Sequence, residues 1–259
     1  MIENDGVKSC GCAEGYAEEG SKCCLVFADA EFKAFALTAA ENAGTSLEYK
    51  WDHDGDGCIT KEEAESENVE TLTAKAFQGN PNIKTAKDLN AFIHLWKFEN
   101  YVFSKAGLEG KVELKYVENI GMTAFYQTTT ITELDMPALT TTGSGAFSGC
   151  TGLTKVNFPN LKTVGASAFK SDTGLTEIDL PSANDFGNLV FQGADNLKTV
   201  RLTAPGKIKV TPTTWNNFTT ENVDLVLNSD KNTGGSGEPL VEPANSWAGA
   251  TWKSITFAE

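Results

Sequence analysis

The segment TELDMPALTTTGSGAFSGCTGL (residues 132–153) decides the fold, because closely similar segments follow it directly. TKVNFPNLKTVGASAFKSDTGL (154–175) and TEIDLPSANDFGNLVFQGADNL (176–197) have the same length of 22 residues, and KTVRL (198–202) begins a further unit. A fixed period in the twenties, with apolar residues in register, is typical of a solenoid whose turns cover one another's apolar faces. We therefore predict a β-rich solenoid of 22-residue turns.

Equivalent positions of the repeats predict strands and a core. Alternate residues of a strand share a face, so two apolar columns two residues apart indicate a short strand in each turn. These columns are Leu134, Val156, Ile178 and Val200, and Met136, Phe158, Leu180 and Leu202. Proline donates no ladder hydrogen bond and ends each strand, at Pro137, Pro159 and Pro181. An aromatic column and a leucine column complete the predicted core: Phe147, Phe169 and Phe191, and Leu153, Leu175 and Leu197.

A glycine recurs where each turn must bend, and we expect positive φ there, at Gly143, Gly165 and Gly187. The register extends backwards through residues 110–131, and AFQGNPNI (76–83) echoes AFSGCTGL (146–153). Beyond Leu202 it loosens, but Trp215 and Phe218 can continue the aromatic column and 223–227 can form another strand. The pattern predicts about six or seven turns.

The recurring element I-G-x-x-A-F-x-x-C-x-x-L resembles the BspA-like leucine-rich repeats of bacterial cell-surface proteins, over about residues 69–257. The resemblance implies a right-handed solenoid with a parallel sheet on one side. It also implies an adhesin-like interaction protein that binds an extracellular protein or glycan. The chain departs from the pattern, because only Cys150 keeps the repeat cysteine and the LxxLxLxxN pattern of other leucine-rich repeats is absent.

The acidic charge lies mainly before the repeats. The net charge is −14, and residues 1–70, with 17 acidic and five basic side chains, contribute −12 of it. The absence of a basic patch argues against binding to nucleic acid or to an anionic membrane. No apolar run is long enough for a transmembrane helix. The first ten residues are too polar for a signal peptide, so either the protein is intracellular or a secretion leader precedes this sequence.

A dense cysteine cluster favours a secreted protein whose leader precedes this sequence. Such a segment is too small to bury a core and predicts disulfides, among Cys10, Cys12, Cys23 and Cys24. The cluster resembles the C-terminal half of an EGF-like module, which implies a Cys12–Cys23 pair and then Cys10 with Cys24. Four cysteines allow three connectivities, and a zinc site is the alternative, although the C-x-C and C-C spacings suit it poorly. Cys58 and Cys150 are predicted to be unpaired.

A helix is predicted after Phe27, with Asp29 as its N-cap and Phe32, Phe35 and Ala36 on its apolar face. Beyond it, DHDGDGCITKEE (52–63) matches an EF-hand calcium loop position by position. The predicted ligands are five side chains and one carbonyl: Asp52, Asp54, Asp56, Thr60 and Glu63, and the carbonyl of Cys58.

Gly57 permits the sharp turn of this loop, and His53 points away from the metal in loops of this kind. Closely spaced carboxylates repel one another unless a cation neutralises them, so the sequence predicts calcium as a cofactor. An acidic turn that never binds metal is the alternative. Only one such loop is visible, whereas EF-hand sensors work in pairs, which favours a structural role.

We predict four segments. They are a cysteine-rich EGF-like fragment (1–26), a helical cap with the EF-hand loop (27–68), the repeat solenoid (69–227), and a loop with a capping strand (228–259). Trp247 and Trp252 are expected to seal the last turn, with sugar stacking as the alternative.

Two polar columns are predicted on the exposed face of the sheet. The first alternates in charge and would form a ladder: Lys111, Glu133, Lys155, Glu177 and Thr199. The second is mainly acidic: Glu113, Asp135, Asn157, Asp179 and Arg201. We expect the second column to contribute to partner binding. A solvated surface is the alternative.

No catalytic residues are predicted, because the sequence lacks G-x-S-x-G, H-E-x-x-H and a phosphate loop and has two histidines. The interpretation is a monomeric, non-enzymatic interaction protein, extracellular or on a bacterial surface, with a lipid anchor as one means of attachment. A carbohydrate-binding or carbohydrate-processing accessory protein is the alternative, since a glycosidase carboxylate pair needs no linear motif. A calcium-gated assembly module is a further one.

Overall fold

The computed structural model describes residues 12–42, 51–67, 69–228 and 246–258. Across them the chain forms a β-solenoid of about seven turns with a period of about 22 residues and few helices. Cys10 and nearly all of the loop predicted after Asn228 lie outside the described residues.

The chain before the repeats forms a hairpin and two helices. Strands β1 (Tyr16–Glu19) and β2 (Lys22–Leu25) pair antiparallel, and helices α1 (Ala30–Asn42) and α2 (Lys61–Ala64) follow. Asp29 caps α1 as predicted, because its Oδ1 accepts the N–H groups of Glu31 at 2.9 Å and Phe32 at 3.1 Å. The sequence predicts a short helix over residues 61–68 after the acidic loop, and in the structure this helix, α2, ends at Ala64.

The apolar face of α1 packs against the first turn of the solenoid. The ring of Phe32 is 1% exposed and lies 5.8 Å from that of Phe77, 5.6 Å from Trp51 and 6.1 Å from Phe92, measured between centroids. The periodicity of α1 therefore places aromatic surface where the solenoid would otherwise expose its interior.

The other strands are short. In chain order they are β3 (Thr71–Leu72), β4 (Lys97–Phe98), β5 (Gly110–Glu113), β6 (Asn119–Ile120), β7 (Ile131–Asp135), β8 (Thr141–Thr142), β9 (Lys155–Asn157), β10 (Thr163–Val164), β11 (Glu177–Asp179), β12 (Asp185–Phe186), β13 (Thr199–Leu202), β14 (Asp224–Asn228), β15 (Ser246–Trp247), β16 (Ala250–Thr251) and β17 (Ser254–Ala258). Two 3₁₀ helices, Lys87–Ala91 and Thr220–Asn222, lie in the longer turns.

These strands form three parallel sheets, two of them on one side of the solenoid. The predicted strands lie in a three-stranded sheet, β5-β7-β9, and a four-stranded sheet, β11-β13-β14-β17. Leu134 lies opposite Val156, and Ile178 lies opposite Val200, so the predicted register is confirmed within each sheet. Strands β15 and β16 form a small antiparallel pair.

The six-stranded sheet β12-β10-β8-β6-β4-β3 was not predicted. Its strands are two residues long, too short for an alternating pattern to show.

A ladder of stacked rings runs through the core. Neighbouring centroids are 5.2 to 6.1 Å apart along Phe77, Phe103, Phe125, Phe147, Phe169, Phe191 and Trp215. The predicted aromatic column is confirmed, including its continuation to Trp215. At the far end Trp252 and Trp247 lie 5.2 and 6.0 Å from Trp215 and are 0% and 2% exposed, so both pack in the core and present no free face for a sugar.

The prediction that the glycine column has positive φ was wrong. Gly143, Gly165 and Gly187 are not among the residues with positive φ. A Cβ atom at Gly165 would instead lie 2.4 Å from the carbonyl oxygen of Gly143 on the preceding turn, and one at Gly187 would lie 2.5 Å from the nitrogen of Ala166. Glycine is needed here because consecutive turns touch backbone to backbone.

Positive φ occurs two residues after this column, at Gly145 but also at Thr123, Ser167 and Leu189, with values of 51 to 62°. The bend itself therefore does not select glycine, and the close approach of the turns does.

Candidate functional site

The acidic loop is the first candidate site. Gly57, at φ 85°, allows the backbone to fold around Asp52, whose Oδ1 and Oδ2 accept the N–H groups of Gly55 at 2.7 Å and Gly57 at 2.9 Å. Glu63 Oε1 accepts the N–H of His53 at 2.9 Å. Both carboxylates are thereby held in fixed positions.

The structure brings three of the predicted ligands together. Carboxylate oxygens of Asp52, Asp54 and Glu63 lie within 4.8 Å of one another. Asp56 instead accepts the N–H of Cys58. Thr60 and Glu63 form a capping box at the start of α2, in which Thr60 Oγ1 accepts the N–H of Glu63 at 3.3 Å and Glu63 Oε2 accepts the N–H of Thr60 at 2.9 Å. Three hard oxygen donors in this spacing suit a calcium ion.

A lysine outside the loop contacts two of its carboxylates. The Nζ of Lys22, on β2, lies 2.7 Å from Oδ2 of Asp54 and 2.5 Å from Oδ2 of Asp56. The hydrogen bond from Lys22 holds the pKa of Asp54 below its usual value, and the bonds to both carboxylates raise the pKa of Lys22. Sequence analysis missed this contact, because the two partners are more than 30 residues apart.

The hairpin is also tied to the loop covalently. Cys12 bonds Cys23, as the resemblance implied, but Cys24 bonds Cys58. The expected pairing of Cys24 with Cys10 and the expected free thiol at Cys58 were both wrong. Leu25 on β2 donates its N–H to the carbonyl of Ile59 at 2.8 Å, which places Cys24 beside the loop.

The exposed sheet face is the second candidate. The first three members of the predicted ladder of alternating charge are in contact, because Lys111 and Lys155 lie 3.6 and 3.3 Å from Glu133, the acid between them. Among the described residues no ion pair continues this ladder from Lys155 to Glu177. The second column differs from the expectation. Asp135 gains partners from both neighbouring strands, with Nζ of Lys111 at 2.7 Å and Nδ2 of Asn157 at 2.8 Å.

Two carboxylates of this face have pKa values shifted in opposite directions. The hydrogen bond from Lys111 holds the pKa of Asp135 below its usual value. Loss of part of its hydration raises the pKa of Asp179, even though its side chain counts as exposed. A lysine therefore favours the charged form of Asp135, whereas partial burial disfavours the charged form of Asp179.

A groove of about 420 Å³ opens on this face. It lies where β9 and β11 meet but belong to different sheets. The core is less well covered at this point. Val156 is half-buried, whereas the equivalent residues of the preceding and following turns, Leu134 and Ile178, are 0% and 2% exposed. The lining combines polar side chains of both columns with an apolar floor: Lys111, Glu133, Asp135, Lys155, Val156, Asn157, Phe158, Pro159, Asp179 and Pro181.

The groove contains three of the five residues predicted to bind a partner, namely Asp135, Asn157 and Asp179. Glu113, on the same strand as Lys111, and Arg201, on the strand beyond β11, do not line it. None of the helices in the described parts of the chain is long and apolar enough to cross a membrane.

Comparison with known proteins agrees with the repeat register. Residues 96–218 match, in six copies, the family described as BspA type leucine-rich repeat region. No curated protein matches the sequence significantly.

Several solved structures are distantly similar. They include the pneumococcal vaccine antigen PcpA (14% identity, 74% of this chain, 66% of that chain, TM-score 0.38). A leucine-rich repeat protein from Bacteroides ovatus matches at 18% identity, over 52% of this chain and 48% of that one, with a TM-score of 0.29. An internalin from Listeria monocytogenes matches at 13%, over 90% and 78%, with a TM-score of 0.23.

The chain thus spans about two thirds and about half of the first two proteins. The family match and the described repeats cover the same stretch, so residues 96–218 are similar to BspA-type leucine-rich repeats.

Proposed function

We propose that this chain is an interaction module of a secreted or surface-attached bacterial protein, and that it binds an extracellular protein or glycan on the exposed face around β9. The BspA-type repeats support a scaffold role, since solenoids present long surfaces to partners. The groove between β9 and β11 is the observation that carries the choice of face.

The interruption of the sheet distinguishes this place from the rest of the face. Backbone hydrogen bonds join β7 to β9 and β11 to β13, but among the described residues no strand pairing joins β9 to β11. Backbone and half-buried apolar surface are therefore accessible beside charged groups. That combination is what a specific binding site needs, because apolar area supplies affinity and polar groups supply orientation.

The polar groups of the groove are already positioned. Lys111 and Asn157 hold Asp135 in place, so a partner meets a fixed carboxylate. Pre-positioned groups lose little conformational entropy on binding. Asp179, on the other side of the interruption, supplies a second carboxylate.

A screen of the purified protein against extracellular-matrix proteins and a glycan array tests this function and separates the two partner classes. For any binder found, the variant Asp135→Ala/Asn157→Ala/Asp179→Ala should lose at least about tenfold in affinity, or about 1.4 kcal/mol. The matched control is Thr151→Ala/Thr173→Ala/Asp195→Ala, three exposed residues at the same spacing on another side of the turns. If the groove variant and the control variant bind the partner with equal affinity, the binding surface lies elsewhere on the molecule.

We also propose that the acidic loop binds calcium and that calcium stabilises the N-terminal region. Asp52, Asp54 and Glu63 supply the converging oxygens, the capping box fixes the end of the loop, and the disulfide at Cys58 anchors its middle. A ligand that binds only the folded state stabilises it by RT ln(1 + [L]/Kd), about 2–4 kcal/mol at 100 to 1,000 times Kd.

Thermal unfolding with calcium and with chelator tests the metal site, and calorimetry gives its affinity. Glu63→Gln should weaken calcium binding most among the ligand variants, because it removes a charged ligand. Glu62→Gln is the matched control, since Glu62 is exposed and outside the converging group. If the unfolding midpoint of the unaltered protein is the same with calcium and with chelator, the proposal is refuted.

Lys22 sharpens this test. Its ammonium contacts Asp54 and Asp56, so a bound calcium ion would have to displace it. Lys22→Gln should therefore bind calcium more tightly than the unaltered protein, whereas Lys33→Gln, on the exposed side of α1, should not change the affinity.

A further inference from the structure

One core column of the repeats carries a polar side chain on each of three consecutive turns. Thr128 donates its hydroxyl to the carbonyl of Phe103 at 2.7 Å, and Cys150 donates its thiol to the carbonyl of Phe125 at 3.1 Å. In both cases the acceptor belongs to the aromatic ladder and lies 25 residues earlier in the chain. Each side chain therefore joins its turn to the preceding one from inside the core.

Asp172 occupies the same position on the next turn, 22 residues after Cys150. It is 0% exposed, and its Oδ1 accepts the N–H of Cys150 at 2.8 Å. Its Oδ2 is buried and has no hydrogen-bond partner. Thr128 and Cys150 both donate to a carbonyl 25 residues earlier in the chain. The equivalent acceptor for a donor at position 172 is the carbonyl of Phe147. An ionised carboxylate has no hydrogen to donate, but a carboxylic acid has one.

We propose that Asp172 is a neutral carboxylic acid in the folded protein, that its Oδ2–H takes the donor role of the Thr128 and Cys150 side chains, and that loss of this proton at rising pH destabilises the solenoid.

The surroundings of Asp172 favour the neutral form. The titratable group facing it from the preceding turn is the Cys150 thiol, whose pKa burial raises, so this thiol also stays neutral. The equivalent residue on the following turn is Ala194, which is buried and apolar. Across the described parts of the chain no lysine or arginine forms an ion pair with Asp172. A charge there would be buried without compensation.

Burial likewise raises the pKa of Asp172 well above its ordinary value. Because the folded state holds this proton more tightly than the unfolded chain, the stabilisation is complete below the unfolded pKa of about 3.9 and is lost as pH rises towards the folded pKa. Over that range the unfolding equilibrium constant should rise about tenfold for each pH unit.

The test compares the protein with Asp172→Asn, whose amide can both accept from Cys150 and donate in place of the acid. The ratio of the two unfolding constants, wild type over variant, should rise about tenfold per pH unit above pH ~4. Asp195→Asn, which alters an exposed carboxylate on the following turn, should show no such rise relative to wild type. A constant ratio for Asp172→Asn between pH 4 and 8 would overturn the proposal.

A second measurement needs no variant. In protein labelled with ¹³C at the aspartate carboxyl carbons, one carboxyl should keep the chemical shift of the protonated acid at neutral pH. If every aspartate titrates in the ordinary acidic range, the proposal is wrong even if Asp172→Asn fails to fold.

Discussion

Between Gly110 and Leu202 the turns contact one another through recurring contacts, whereas residues 12–67 contact the solenoid through single contacts of different kinds. In the repeats, stacked rings recur at each step, and parallel strand pairs recur except between β9 and β11. In the N-terminal region, a single carboxylate, that of Asp29, joins helix α1 to the solenoid. Asp29 caps α1 and also accepts the N–H groups of Lys84 at 2.7 Å and Thr85 at 3.2 Å.

A second buried carboxylate completes this link. Asp88 accepts the N–H groups of Ala28 at 2.8 Å and Asp29 at 2.9 Å, and burial raises its pKa. The comparison teaches that repetition and individual cross-links stabilise in different ways. A contact repeated in every turn couples its neighbours on both sides, whereas loss of a unique contact should be felt mainly in one region.

The largest effect is expected in the ring ladder. Phe147 is 0% exposed and its ring lies between those of Phe125 and Phe169, at 5.8 and 5.4 Å. Phe147→Ala should cost about 3–5 kcal/mol of unfolding free energy, because it removes a large buried side chain and leaves a cavity. Denaturant unfolding measures this cost.

Phe257→Ala is the control for the ladder, since Phe257 is 43% exposed, and it should cost much less. Hydrogen exchange should show weakened protection in the turns on both sides of residue 147. Protection lost in one turn alone would contradict the coupling of neighbouring turns.

The next largest effect is expected from the disulfide between Cys24 and Cys58, which are 34 residues apart. Replacing both by serine should destabilise the N-terminal region by about 2–4 kcal/mol, through the freedom gained by the unfolded chain. Replacing Cys12 and Cys23 should cost less, because their separation is 11 residues. Hydrogen exchange in residues 132–202 should stay unchanged in both variants. A loss of protection there would show that the two regions unfold as one unit.

A smaller effect is expected at the glycine column. Gly165→Ala should cost about 1–3 kcal/mol, because the new methyl group meets the backbone of Gly143. Gly206→Ala is the matched comparison, since φ is +80° there and no atom lies within 4 Å of the new Cβ. It should cost about 1 kcal/mol from backbone conformation alone and disturb no neighbouring turn. Equal exchange patterns in the two variants would refute the close-approach explanation.

Much of the repeat scaffold could be predicted from the sequence, because its columns depend on local periodicity. The register of Leu134 with Val156 follows from counting residues, and the structure confirms it. The second sheet could not be predicted, since a two-residue strand such as Thr141–Thr142 has no measurable alternation. The glycine column was predicted for the wrong reason, because sequence shows that glycine recurs but not how near another turn lies.

The candidate sites could be predicted where their residues are close in sequence or recur at the repeat period, as Asp135, Asn157 and Asp179 do. Residues 52–63 show their spacing directly, but Lys22 and Cys24 reach that loop through tertiary structure. Cys58 was assigned only a carbonyl role, so its disulfide was missed. The groove depends on missing pairing between β9 and β11, and nothing in the sequence of these strands explains that interruption.

The shared offset of the columns has a consequence for insertions and deletions. Between Gly143 and Gly165 one added residue would move strand, ring and glycine out of step together, whereas one added unit of 22 residues would leave every offset unchanged. The first turn shows how irregular lengths are accommodated. Phe77 and Phe103 still stack at 5.2 Å although 26 residues separate them, and the 3₁₀ helix Lys87–Ala91 lies in the extra length. Such a chain lengthens its outer face by copying whole turns, and it acquires new loops only between the columns.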